Sequence, residues 1–95
     1  MTTHSQIKKL IEEFEIQEKI EKSFMKILEI HTCDELDIEN KNISINTKNI
    51  EHSKTESGYN KFQTSIINEQ KKEIGYFALV VTNENEKIDE YFLIF

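Results

Sequence analysis

Proline and arginine are absent from this chain, glycine occurs twice and cysteine once. With so little proline and glycine there is no stretch that reads as a flexible linker, and 95 residues fit one α+β domain spanning residues 1–95. A chain of this size buries roughly 60–65% of its unfolded surface, enough for one modest core. Without arginine the chain lacks the side chain most used to clamp phosphate and read base edges. Twelve lysines face eighteen acids, for a formal net charge of −6. The excess is spread evenly: residues 1–35 hold eight acids and five lysines, residues 36–95 ten and seven. A diffuse acidic surface disfavours nucleic acid, which needs a basic face, and anionic membrane for the same reason. It permits a basic protein partner.

The single cysteine, Cys33, has no intrachain disulfide partner, which points to a reducing compartment. The longest apolar run, residues 76–81, is far too short to span a bilayer. Residues 1–5 carry no basic n-region and no apolar h-region follows them. Together these predict a cytoplasmic protein.

What the chain does have is concentrated at its C-terminal end. Residues 74–82 and 88–95 are rich in aromatic and β-branched side chains, with a polar connector between them. That composition suits a pleated, half-buried surface, and the connector has hairpin length. Phe77, Leu79 and Val81 fall on one face of the first run, and Tyr76, Ala78 and Val80 on the other. Both faces are apolar, which predicts a central strand covered on both sides.

Toward the N-terminus, Thr3 and Gln6 have the spacing of a helix capping box. Ile7, Leu10, Ile11 and Phe14 then recur at helical spacing, followed by a rotated stripe of Ile16, Ile20, Phe24, Ile27 and Leu28. A single bent helix over residues 4–30 is favoured over two helices meeting near residues 14–17. Beyond a polar break at residues 31–35, alternation predicts strands at about 36–40 and 43–50. Residues 48–58 are the most polar stretch, either a strand extension turning at Gly58 or a loop. Residues 59–67 read as a strand, with Phe62, Thr64 and Ile66 on one face. The expected fold is α+β, a long N-terminal helix, bent or split, on an antiparallel meander of four to five strands. Cystatin-like and NTF2-like rolls share this outline, which by itself implies no function.

Residues 77–81 (FALVV) followed by 83–86 (NENE) resemble the closing strands of small phage inhibitors of uracil-DNA glycosylase, acidic helix-plus-sheet proteins that mimic DNA. The resemblance spans under a fifth of the chain. DNA mimicry wants concentrated acids, whereas lysines are interspersed here, and no functional residue is carried over.

His31, Cys33, Asp34 and Glu35 form the densest group of potential ligands, but zinc needs about four, and no second pair stands at ligand spacing. A thiol catalyst built on Cys33 and His31 has no orienting group. Glu12, Glu13, Glu15, Glu18 and Glu21 read as the solvated face of a helix, Asp37 and Glu39 as the outward face of a strand, and Asp89 and Glu90 as the start of the last strand. No catalytic residue, metal or cofactor is therefore expected. The leading reading is a small acidic, non-enzymatic protein-binding domain of the inhibitor or immunity type. Asp34, Glu35, Asp37 and Glu39 would steer a basic partner and Tyr59 would serve as an aromatic anchor. The alternatives are a ligand-binding or enzymatic roll with a pocket beneath the helix, and a structural homodimer.

Overall fold

The computed structural model describes residues 4–95; the cap expected at Thr3 lies outside them. Three helices, α1 (His4–Glu13), α2 (Ile16–Ile30) and α3 (Cys33–Leu36), precede five strands: β1 (Ser44–Ile45), β2 (Glu51–Lys54), β3 (Asn60–Ile67), β4 (Glu73–Val81) and β5 (Lys87–Ile94). Strands β2 to β5 form an antiparallel meander, and β1 pairs with β3 beyond the end of β2. The result is the α+β architecture expected from the sequence.

The core lies between α2 and one face of the sheet. Ile16, Ile20, Phe24, Ile27 and Leu28 are buried against Phe62, Ile66, Phe77, Leu79 and Val81. Register explains the selection. Phe62 opposes Leu79 and Thr64 opposes Phe77, so the period-2 residues of β3 and β4 meet on the same side. Phe77 also opposes Phe92 of β5. Phe24 packs edge-on against Phe77 (centroids 5.8 Å apart) and stacks on Phe92 (6.0 Å).

The helical region is two helices, not one bent helix. The Phe14 and Glu15 amides close the last turn of α1 onto Leu10 and Glu12, and Glu15 turns left-handed at φ 53°. The two apolar stripes differ in phase by about a third of a turn, so one straight helix would present only one of them to the sheet. A left-handed residue re-aims the chain, and non-glycine residues adopt that conformation at a cost of about 1–2 kcal/mol. The β4–β5 turn holds the junction. Lys19 Nζ donates to the carbonyl of Asn85 (3.3 Å) and to its side-chain oxygen, and Asn85 Nδ2 reaches the Phe14 carbonyl (3.5 Å).

Two other local expectations are corrected, and residues 48–58, open between a strand extension and a loop, hold a strand followed by a turn at Gly58. Residues 36–40 are not a strand: Leu36 ends α3, and left-handed Asp37 (φ 60°) lets the Ile38 amide bond back to Cys33. The alternation there is real, because Leu36 and Ile38 both pack against the core, but a cap and loop carry it. Residues 43–50 hold only the short β1 before a turn closed by Asn49 N–H to the Asn46 carbonyl. Within residues 48–58 lies β2, whose core-facing positions are polar. His52 sits against Phe62 (5.1 Å) and shares a 3.0 Å hydrogen bond with the buried Asn60 side chain.

β4 is central and buried on both faces, yet the helices cover only one. On the other, Ala78 and Val80 are buried within the sheet surface itself. Lys61 of β3 lays its ammonium over the Tyr76 and Tyr91 rings at 5.7 and 5.5 Å. Gly75 is required by close approach, since a Cβ there would overlap the Leu93 carbonyl.

Two substitutions test this account. Phe77→Ala should lower the unfolding free energy by about 3–5 kcal/mol in urea titrations, the range for a fully buried aromatic. Glu15→Gly should raise it by about 0.5–1 kcal/mol if the left-handed junction carries strain, because the relief exceeds the entropy cost of glycine.

Candidate functional site

Among the described residues, a broad concavity lies between the two long helices and the β1–β2 connector. Ile7, Lys8, Ile11 and Glu12 occupy one face of α1, at i, i+1, i+4 and i+5. Gln17, Glu18 and Glu21 do the same on α2, with Glu15 at the junction. Residues 47–52 close the other wall. The groove has a volume of about 1050 Å³. Its floor is apolar: Ile11 and Ile50 lean on the core, and Ile7 is half-buried beside them.

Five glutamates line the groove, Glu12, Glu15, Glu18, Glu21 and Glu51, against Lys8 and Lys48. Two of the five have internal partners. Glu18 pairs with Lys22 (3.1 Å) and Glu21 accepts from the Thr47 hydroxyl (3.3 Å). Gln17 Nε2 donates to the Thr47 carbonyl (3.1 Å), so Thr47 ties the connector to α2 and sets the width of the groove. Among the described residues, the carboxylates of Glu12, Glu15 and Glu51 make no ion pair. The Coulomb field of five carboxylates over an apolar floor favours a ligand that is cationic at its edges and apolar at its centre.

The residues singled out from sequence lie elsewhere and apart. Asp34 and Glu35 are exposed on α3. Glu35 is engaged in a capping box: its carboxylate accepts the Thr32 amide (2.8 Å), while the Thr32 hydroxyl accepts the Glu35 amide (3.2 Å). His31 Nδ1 stands 3.7 Å from Glu35, turned to that carboxylate. Cys33 is half-buried at the start of α3, and among the described residues no three His, Cys, Asp or Glu side chains are grouped to hold a metal ion.

Asp37 and Glu39 line a second, smaller cleft of about 460 Å³ with Glu69, Glu73 and Lys72, over Ile38, Ile43 and Ile74. Tyr59 sits in the β2–β3 turn, where its carbonyl accepts the Thr55 amide (2.9 Å). The full length of β3, eight residues or about 26 Å, separates that turn from the second cleft. Tyr59 and the acids therefore do not form one surface. Asp89 and Glu90 are on β5: Asp89 accepts the Glu90 amide (2.8 Å) and Lys87 approaches Glu90 (2.9 Å). Hydrogen bonding to Asp89 pushes the Tyr91 phenol above its ordinary pKa.

By sequence alone, Glu12, Glu15, Glu18 and Glu21 read as a solvated helix face, and Glu51 falls in a polar stretch open to either a strand extension or a loop. A helix-face reading of Glu12 to Glu21 is correct locally. It misses that a loop about thirty residues away walls that face in, and the one available hint was Ile50, an isolated apolar residue in a polar stretch. Compared with family models, with curated proteins and with solved structures, the chain matches none. Among the described residues no helix is long and apolar enough to cross a membrane.

The capping box has a measurable signature. The Thr32 amide, then the Thr32 hydroxyl and the nearby His31, hold the Glu35 carboxyl below its ordinary pKa. A depressed folded-state pKa adds stability above the unfolded value, and that stability is lost as pH falls through the folded value. NMR titration should show the Glu35 carboxyl protonating below its ordinary pKa, and Thr32→Ala should return it toward the ordinary value.

Proposed function

We propose that this protein is a non-enzymatic protein-binding domain of the inhibitor or immunity type. It acts in the cytoplasm by seating a basic, amphipathic segment of its partner between α1, α2 and the β1–β2 connector. The observation that carries the reading is the groove itself, an apolar floor beneath a rim on which glutamates outnumber lysines five to two. A partner segment would bury its apolar side chains on Ile7, Ile11 and Ile50 and set its lysines or arginines against Glu12, Glu15 and Glu51. Rim charges of this kind act mainly on the rate and specificity of association, and the covered apolar floor supplies affinity. By occupying a cationic segment of the partner, the domain would block whatever anionic ligand that segment serves.

The packing beneath the helices favours this reading over a pocket-bearing roll. The inward positions Phe62, Ile66, Phe77, Leu79 and Val81 are filled by the α2 stripe, so ligand-sized space lies at the surface.

Affinity capture from cells that make the protein tests the reading, using three matched baits. Wild type should retain a stoichiometric partner that elutes as salt shortens the screening length from about 10 Å at 0.1 M toward 3 Å at 1 M. Reversing Glu12, Glu15 and Glu51 to lysine should weaken that capture at least about tenfold, since even 0.5 kcal/mol per exposed charge pair sums to roughly 1.5 kcal/mol. Reversing Asp34, Glu39 and Glu84 changes net charge equally and should leave capture intact. Equal loss in both triple variants would reduce the effect to net charge and remove the groove from the account.

A further inference from the structure

The sheet has two edges, and the β5 edge differs along its length. In an antiparallel ladder, residues alternate between bonding the neighbouring strand and pointing their N–H and C=O away from it. The Phe95 amide bonds to the Ile74 carbonyl beside the Gly75–Ile94 pair. That sets the phase: Tyr91 and Leu93 bond to β4, while Glu90, Phe92 and Ile94 aim their backbone groups at the open edge. The Glu90 amide is already covered by the Asp89 carboxylate (2.8 Å), one of the ways natural sheets blunt an edge. Phe92 and Ile94 have no such cover among the described residues.

The same half of β5 is where apolar side chains are left exposed. On the sheet face away from the helices, Tyr91 is 44% exposed and Leu93 43%, and Phe95 just beyond is 72% exposed. An open backbone edge and an apolar margin therefore coincide over residues 91–95.

We infer that two copies of the chain associate by antiparallel pairing of their β5 edges about a two-fold axis at Leu93. Phe92 of each copy then exchanges backbone hydrogen bonds with Ile94 of the other. This register pairs both open backbone positions, Phe92 and Ile94, without using the Glu90 amide that Asp89 caps. Leu93 meets its own counterpart, Tyr91 faces Phe95 of the second copy, and Asp89 and Glu90 fall outside the paired segment with the Asp89 cap intact. A register centred on Glu90 would oppose like charges and displace that cap, which is unfavourable. The segment is thus complementary to itself.

Area sets the strength. An aromatic side chain offers about 150–250 Å², so Tyr91 and Phe95 leave about 250 Å² exposed per copy, with Leu93 adding somewhat more. Doubled, this stays below the roughly 1,200–2,000 Å² of a standard stable interface. The pairing is therefore a weak, concentration-dependent dimer. It leaves the acidic groove, on the β2 side of the sheet, open in both copies, and so would make the assembly bivalent for a basic partner.

Sedimentation equilibrium on the full chain from about 10 µM to 1 mM tests the association, read together with amide hydrogen exchange. The expected result is a mass rising from one chain toward two, with exchange at Phe92 and Ile94 slowing as concentration increases. Leu93→Asp, a change at an exposed position, should raise the dissociation constant at least tenfold while far-UV circular dichroism stays unchanged. Register is tested by cross-linking. In a Cys33→Ser background, Leu93→Cys should form an intermolecular disulfide on mild oxidation, because directly opposed non-bonded residues sit about 4.5 Å apart at Cα, within disulfide range. Tyr91→Cys, displaced from the axis, should cross-link more slowly. A chain that stays monomeric at 1 mM overturns the inference. So does a dimer that leaves the Phe92 and Ile94 amides unprotected, or one in which Tyr91→Cys links faster than Leu93→Cys. Wild-type exchange decides the matter if a variant fails to fold.

Discussion

Phe77 meets three elements at once. It stands at the centre of the central strand, between Thr64 and Phe92, and its ring takes the edge of Phe24 from α2. That packing fixes the rotation of α2 about its axis, because Ile16, Ile20, Phe24, Ile27 and Leu28 turn inward only together. With α2 so fixed, the earlier stripe of Leu10, Ile11 and Phe14 reaches the core only if the chain breaks between the helices. The left-handed Glu15 is that break. The groove follows from it, since the re-aimed α1 stands beside the β1–β2 connector with Glu12 and Glu15 on the rim and Ile7 and Ile11 on the floor. Core packing thus produces the acidic surface indirectly, through a helix junction.

Polar side chains hold this arrangement where apolar contact runs out. Asn85 in the β4–β5 turn clamps the helix junction through Lys19 and the Phe14 carbonyl. Buried Asn60 is satisfied on both sides, by His52 and by Asn83, so β2 stays on the sheet although its inward positions are polar. Lys61 shields apolar ring surface on the face that no helix covers. The two sheet edges then have different characters. The β2 side borders an acidic groove, while the β5 side presents a guarded acidic half followed by a bare apolar half.

Much of the fold was legible because burial leaves a short-range trace. Strand β3 alternates along its own length, and parity groups Phe62 with Ile66 and Phe77 with Leu79 and Val81, although both faces of β4 are apolar and parity did not choose between them. The phase shift between the helical stripes was visible too, but its resolution as a break required knowing where the sheet lies. Local alternation misled at Leu36 and Ile38, where a helix cap and a loop put two apolar residues inward at strand-like spacing. Residues 48–58 stayed open between strand and loop because an edge strand needs no apolar side chain when a histidine packs on Phe62 and bonds Asn60. The acids around Asp34 to Glu39 stood out by density, yet density did not bring them together. Glu35 caps a turn, and Tyr59 lies a strand length away.

The sequence by itself determined the α+β class, the composition of the core, the acidic surface and the antiparallel pairing of its last three strands. Each of these rests on residue type and on periods of two and 3.6, which act over a few neighbours. Only the tertiary structure decided which acids share a surface, where the helix breaks and which edge backbone is left unpaired. Those depend on contacts between segments thirty or more residues apart, and local periodicity does not specify them.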